Sequence, residues 1–192
     1  TAAAAAKLHV AVNGDNIKDA PFSIEVLAAP PDAASSYAEG DGLARASPDA
    51  EATFRVITVD RFGNRCTKGG YKLASALVGE ADQGKVDVAV RDNDDGTYAC
   101  AYQPKKTGPY RLDVALGGAN VRDAPFKVTV DAGAAVAANC SADGDGLRTV
   151  VAGETGDFTV TVRDGAHNVR AAGGDPVGAK FTAGPHTALA VS

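Results

Sequence analysis

Residues 85–102 read KVDVAVRDNDDGTYACAY. Val86, Val88 and Val90 are apolar at every second position. Tyr98, Cys100 and Tyr102 resume that period after the break Asn93-Asp94-Asp95-Gly96. Period two marks strands with one face to a core and one to water. Asp-Gly between two such runs marks a hairpin, because Gly accepts positive φ without a clash. Further out, Tyr110, Leu112, Val114 and Leu116 alternate after Gly108-Pro109, and Gly117-Gly118 ends that run. Ala124 to Val130 closes the block. Lys85 to Val130 therefore predicts four antiparallel strands. Upstream, Gly40-Asp41-Gly42-Leu43 opens a first strand, Phe54 to Val59 form a second and Tyr71 to Val78 a third. Turns are expected at Asp60–Asn64 and Gly69-Gly70. Seven short strands in this order predict an all-β antiparallel sandwich.

The pattern repeats along the chain. Leu8 matches Leu112 at a shift of 112 − 8 = 104 residues. The same shift takes Pro21-Phe22 to Pro125-Phe126, Gly40-Asp41-Gly42-Leu43 to Gly144-Asp145-Gly146-Leu147, Phe54 to Phe158, Asp60 to Asp164 and Asn64 to Asn168. A fixed period without insertions means tandem units. Three segments are expected: residues 1–28, the last part of one unit; 36–131, a complete unit; and 140–192, the first part of a third. Ala28 to Ser36 and Asp131 to Asn139 read as linkers. In the third unit, strands are expected around Phe158, Val160 and Val162, from Val177 to Phe181, and at Leu189 and Val191. The chain contains no Met, which suits a segment of a longer protein. A unit of this size can bury enough surface to fold alone.

Composition narrows the function classes. The core must come from Val, Leu, Ala and a few Phe and Tyr, since 45% of the chain is hydrophobic but only 6% aromatic. A formal charge of −5 argues against a nucleic-acid partner, which needs a basic face. No apolar run is long enough for a membrane-spanning helix. Cys66, Cys100 and Cys140 are not related by the repeat, and an odd, unrepeated set suits free thiols in a reducing compartment. Cys100 alternates with Tyr98 and Tyr102 as a small core residue, whereas Cys66 falls in a polar loop.

No catalytic, cofactor or metal site is expected. Asp92 to Gly96 resembles a calcium loop, but Gly96 stands at the fifth position where such a loop needs Gly at the sixth. It reads as a hairpin. Gly40-x-Gly42 lacks the third Gly of a dinucleotide loop and opens no helix. His9, His167 and His186 fall in different units without ligand spacing. Ser35, Ser36 and Ser141 have no base nearby in sequence. Tyr110, after Gly108-Pro109, stands either as an ordinary core residue or as a tyrosine corner with its hydroxyl on nearby backbone.

Gly40-Asp41-Gly42-Leu43, Gly63-Asn64, Gly69-Gly70, Asp92 to Tyr98, Tyr102-Gln103-Pro104, Gly108-Pro109-Tyr110 and Ala124-Pro125-Phe126 follow one another at a spacing that resembles the filamin-type (actin-binding-protein 280) repeat. The likeness covers residues 36–131 and extends over 7–26 and 140–185. It implies an immunoglobulin-like seven-strand β-sandwich in tandem, acting as a spacer or scaffold that docks proteins by β-strand addition. Filamins carry an actin-binding domain, for which no counterpart exists in this sequence. Filamin-type repeats also occur in ubiquitin ligases and in algal flagellar motor proteins. The resemblance thus implies a cytoplasmic, cytoskeleton-associated or flagellar setting with protein partners and no enzyme activity. The alternative is an extracellular immunoglobulin- or cadherin-like adhesion array.

Backbone physics points to one place for docking. In a seven-strand sandwich the third strand ends one sheet and the fourth ends the other, so both leave unpaired N–H and C=O groups. The expected partner site is the groove lined by Leu73, Ala74, Ser75, Ala76 and Leu77 of the third strand and Val86 and Val88 of the fourth. The competing reading is a solvated edge guarded by Lys72 and Lys85.

Overall fold

A computed structural model describes residues 5–180. In chain order the strands are β1 (Ala5–Leu8), β2 (Ala11–Val12), β3 (Asp15–Asn16), β4 (Phe22–Glu25), β5 (Tyr37–Glu39), β6 (Arg45–Ala46), β7 (Ala52–Ile57), β8 (Leu73–Gly79), β9 (Lys85–Asp87), β10 (Ala89–Asp92), β11 (Thr97–Tyr102), β12 (Gly108–Leu116), β13 (Ala119–Asn120), β14 (Phe126–Val130), β15 (Ser141–Asp143) and β16 (Thr159–Thr161). The chain divides into a unit ending at Gly133 and a second beginning at Ala134.

Residues 37–130 form an immunoglobulin-like sandwich. One sheet runs β10-β11-β7-β5 and the other β6-β14-β12-β8-β9, with β13 beside β12. The alternation read from the sequence is the cause. Phe54, Val56, Cys100 and Tyr102 face inward from the first sheet, and Leu77, Leu112, Val114, Val128 and Val130 from the second. Each fully buried aliphatic side chain contributes about 1.5–3 kcal/mol.

Two strands divide between the sheets. The first is carried across by Gly40 (φ 129°) and a 3-10 turn at Asp41–Leu43. Its β5 part pairs with β7, while its β6 part runs parallel to β14. That short pair departs from the antiparallel pattern. Gly42 cannot carry a side chain here, because a Cβ would lie 2.7 Å from the Thr53 carbonyl oxygen. The fourth strand, expected as one element, also splits. Its β9 part pairs with β8, and after Val88 its β10 part pairs with β11. Val86 faces the core from one sheet and Val90 from the other, so period two holds through the switch.

Asp60 and Asn64 form the expected turn. The Asp60 carboxylate is fully buried and accepts N–H groups of Phe62 (2.9 Å), Asn64 (2.8 Å) and Ala29 (2.9 Å), and the Asn64 amide (2.8 Å). Burial opposes its charge, but these bonds prevail and hold it far below the usual carboxylate range. Asp164 receives the same bonds from Ala166 and Asn168 in the second unit. Cys66 is buried, contrary to its polar-loop reading, because Val59 bridges Arg65 and draws the loop inward. Cys66, Cys100 and Cys140 are free thiols.

In the segment 5–28, β1 pairs with β4, and Leu8, Phe22 and Ile24 remain exposed. In the second unit β15 pairs with β16, Gly144 (φ 140°) repeats the Gly40 conformation, and no strand occurs at 177–180. Thr1 to Ala4, Phe181, His186, Leu189 and Val191 lie outside the described residues.

Candidate functional site

The edge of β8 is the place to test for docking. Its backbone directions follow from its ladder with β12. The Gly117 N–H donates to the Lys72 carbonyl (2.9 Å) and the Glu80 N–H to the Pro109 carbonyl (3.1 Å). With Leu73 opposite Leu116 and Leu77 opposite Leu112, the even-numbered residues turn their N–H and C=O groups toward β12. The odd-numbered residues turn theirs away. On that outer side the Gly79 N–H donates to Gly84 (2.8 Å), and Leu77 stands opposite Val86. β9 reaches no further than Ala76. The Ala76–Asp87 pair is closed on its far side by the Ser75 carbonyl, so Leu73 and the Ser75 N–H present three backbone groups with no ladder partner among the described residues.

Side chains alternate in the other sense. Leu73, Ser75 and Leu77 turn inward. Leu77 is wholly buried in the core, and the Ser75 hydroxyl donates to the Asp113 carbonyl (2.8 Å). That bond lets a polar residue occupy a half-buried position where an apolar one was expected. Ala74 is exposed and Ala76 half-buried on the outer face. Val86 and Val88 are half-buried and pack against the core. The structure thus brings Leu73, Ala74, Ser75 and Val88 to one open slot, while Ala76, Leu77 and Val86 lie where β9 already covers the edge. Of the two guarding lysines, Lys72 is exposed beside the slot and Lys85 belongs to β9.

Other residues of the slot were not expected. Val90 lies in the row Val90–Cys100–Phe54, facing the gap between the sheets, and is 37% exposed. At the start of β8 the Tyr71 N–H donates to the Tyr98 hydroxyl (3.0 Å), and the Gly70 N–H to the Asp92 carboxylate (2.6 Å). The bonds from Gly70 and Asp94 hold the Asp92 carboxyl below its ordinary range. Asp95 accepts the Thr97 hydroxyl (2.6 Å) and N–H (2.9 Å), and its pKa falls for that reason. The Asp95 carboxylate is occupied within the hairpin, while that of Asp92 is shared between the hairpin N–H of Asp94 and the Gly70 N–H ahead of β8. Alternation alone signals Val90, but nothing in the sequence signals the Tyr98 contact.

Tyr110 resolves as a tyrosine corner. Its hydroxyl donates to the Lys106 carbonyl (2.9 Å), four residues upstream, while its ring is buried. Tyr102 likewise donates to the Gly42 carbonyl, fixing the 3-10 turn to the core.

Comparison with known proteins agrees with this geometry. The profile of the Filamin/ABP280 repeat matches residues 30–127, just over half of the chain. Filamin-C of Mus musculus is 32% identical over 132 residues, which cover 66% of this chain and 4% of Filamin-C. The E3 ubiquitin-protein ligase TRIM71 of Bos taurus is 38% identical over 96 residues, 50% of this chain and 11% of the ligase. The chain thus spans a small part of these relatives. In fold it is similar to the Escherichia coli adhesin FdeC, with a TM-score of 0.58, 23% identity, and coverage of 81% of this chain and 49% of FdeC. The split first strand, the tyrosine corner and the matched profile converge: the chain belongs to the filamin/ABP280 repeat family.

Proposed function

We propose that the chain is a structural and scaffolding segment that docks partner proteins by β-strand addition to the free edge of β8. The supporting observation is the set of outward backbone groups on Leu73 and Ser75. They lie beside small side chains at Ala74 and Ala76 and an apolar wall at Val88 and Val90. An extended peptide can satisfy those groups and place alternate side chains against the wall. The site residues of this reading are Leu73, Ala74, Ser75, Ala76, Leu77, Val86 and Val88. Residues 36–131 are the complete repeat, with 1–28 and 140–192 as parts of two others. The 104-residue shift and the matching Asp60 and Asp164 turns support that division. The similarity to Filamin-C supports a cytoskeleton-associated setting in the cytoplasm.

The test uses a synthetic peptide copying residues 84–92, whose valines alternate as a docking strand requires. Added to the isotope-labelled full chain, it should slow amide exchange at Leu73 and Ser75. Protection at Thr53 to Ile57 instead, or none at millimolar peptide, refutes the edge assignment.

A further inference from the structure

We infer that β9 is a displaceable plug on the docking edge, and that the strand replacing it is antiparallel, with a branched apolar residue opposite each of Leu73, Ser75 and Leu77. This inference rests on the docking reading above. Its basis is the register of β9. Val78 stands opposite Lys85, Leu77 opposite Val86 and Ala76 opposite Asp87. Continued along β8, the same register places Val88 opposite Ser75 and Val90 opposite Leu73. The chain's own sequence from Lys85 to Val90 thus has the alternation that would pair with all of β8. It does so for three residues, then leaves at Val88 to join β11 as β10. The edge is half filled by its own chain and half open.

The filled half is held by few contacts. Beyond the three-residue register and the packing of Val86 on the core, β9 is anchored by the loop 80–85. Gln83 accepts the Ala81 N–H (2.8 Å) and donates to the Thr107 carbonyl (3.5 Å). Lys106 donates to the Asp82 carbonyl (2.9 Å) and lies 3.6 Å from its carboxylate. Asp82 is 90% exposed, so that ion pair is screened and weak. By contrast, β8 is joined to β12 along its whole length, with the Gly79–Tyr110 and Leu73–Leu116 pairs at its ends. Opening β9 withdraws one half-buried valine, leaves the β8–β12 ladder whole and doubles the available edge, from Leu73–Ser75 to Leu73–Val78. Partner affinity then depends on how often β9 is open, because a site that is mostly closed binds more weakly in proportion.

The experiment compares the full chain with its Gln83→Ala/Lys106→Ala variant, which removes the loop anchors and leaves β8 intact. The readouts are amide exchange and binding of the fluorescent 84–92 peptide. In the variant, exchange at Leu77 and Gly79 should quicken about fivefold, while Ala76 and Val78, which face β12, keep their rates. Peptide affinity should tighten by the same factor. If Leu77 and Gly79 exchange in step with Ala76 and Val78 in both proteins, β9 does not open separately and the plug is overturned. Faster exchange without tighter binding shows that β9 opens but does not gate docking, which also overturns it. Binding to neither protein refutes the docking reading itself, whatever the exchange rates show.

Discussion

Proline at two adjacent positions of β8 should have opposite consequences. The Ala74 N–H points at β12, where the register sets it against Ala115. Ala74→Pro removes that ladder bond and pushes a ring between two paired strands. Leaving the opposing carbonyl unpaired costs up to about 3 kcal/mol, to which the strain of the inserted ring adds. For a domain of this size a loss of about 3 kcal/mol corresponds to a melting temperature lower by at least about 12 °C. Ser75 is different. Its N–H points outward, and Ser75→Pro breaks no backbone bond. What it loses is the hydroxyl bond to the Asp113 carbonyl, worth about 1 kcal/mol. Ala74 is already extended, as a residue before proline must be. The stiffer unfolded chain returns part of the loss, about 0.4–1 kcal/mol. The Ser75→Pro protein should therefore melt within a few degrees of the parent. Yet it lacks a donor at the centre of the docking edge, and its ring projects where an incoming strand must lie. Binding of the 84–92 peptide should weaken at least about tenfold, the equivalent of about 1.4 kcal/mol. Calorimetric melting and fluorescence anisotropy measure the two effects separately. If Ser75→Pro unfolds as far as Ala74→Pro, the assignment of backbone directions is wrong. If it folds and binds as the parent does, strand addition at this edge is wrong.

Three further outcomes are expected. Tyr110→Phe removes the corner hydroxyl bond to Lys106 and should cost about 1 kcal/mol, read as a fall of about 4–8 °C in melting temperature; an unchanged melt removes the corner's structural role. Asp60 is ionised in the fold at a pH where a free carboxyl is protonated, so its stabilisation is complete above the ordinary aspartate range. That stabilisation fades as pH falls through and below the range, and Asp60→Asn should lower stability at pH 7 and flatten the acid limb; parallel pH profiles contradict this. Burial pushes the Cys100 thiol up to about 12, so iodoacetamide at pH 8 should leave it unmodified in the native chain and alkylate it only on unfolding, as peptide mapping can check.

Much of the sandwich was legible because its code is local. Alternation in Tyr98 to Tyr102 and Tyr110 to Leu116 names the inward residues directly, and Asn93 to Gly96 names the hairpin that joins β10 to β11. What was not legible is which sheet a strand joins. Val86, Val88 and Val90 keep one period whether the strand is continuous or switches sheets, since both sheets turn their inner faces to the same core. The split at Val88 depends on the reach of the loop 80–85 and on the edge that β8 leaves vacant, and both are tertiary properties. The docking edge was partly legible for the same reason. Small residues at Ala74 and Ala76 can be read off the chain, but whether a given N–H points outward is decided by register with β12. Cys66 looked polar by its neighbours and became buried through the Val59–Arg65 bridge.

The β6–β14 pair has a mechanical consequence. The two segments run parallel, with the Thr129 N–H on the Ala44 carbonyl (2.9 Å), the Asp131 N–H on the Ala46 carbonyl (3.0 Å) and Arg45 against Asp131 (2.9 Å). One segment lies near the start of the repeat and the other at its end. Tension applied at those two ends pulls parallel strands in opposite directions along their length. The hydrogen bonds between them are then sheared together instead of being peeled one at a time. Force entering at the start of the repeat meets the β5–β7 pair and then this one, and it must break these bonds as a group before β14 can be drawn away. A pair of only two residues per strand thereby resists extension in shear at the end of the repeat.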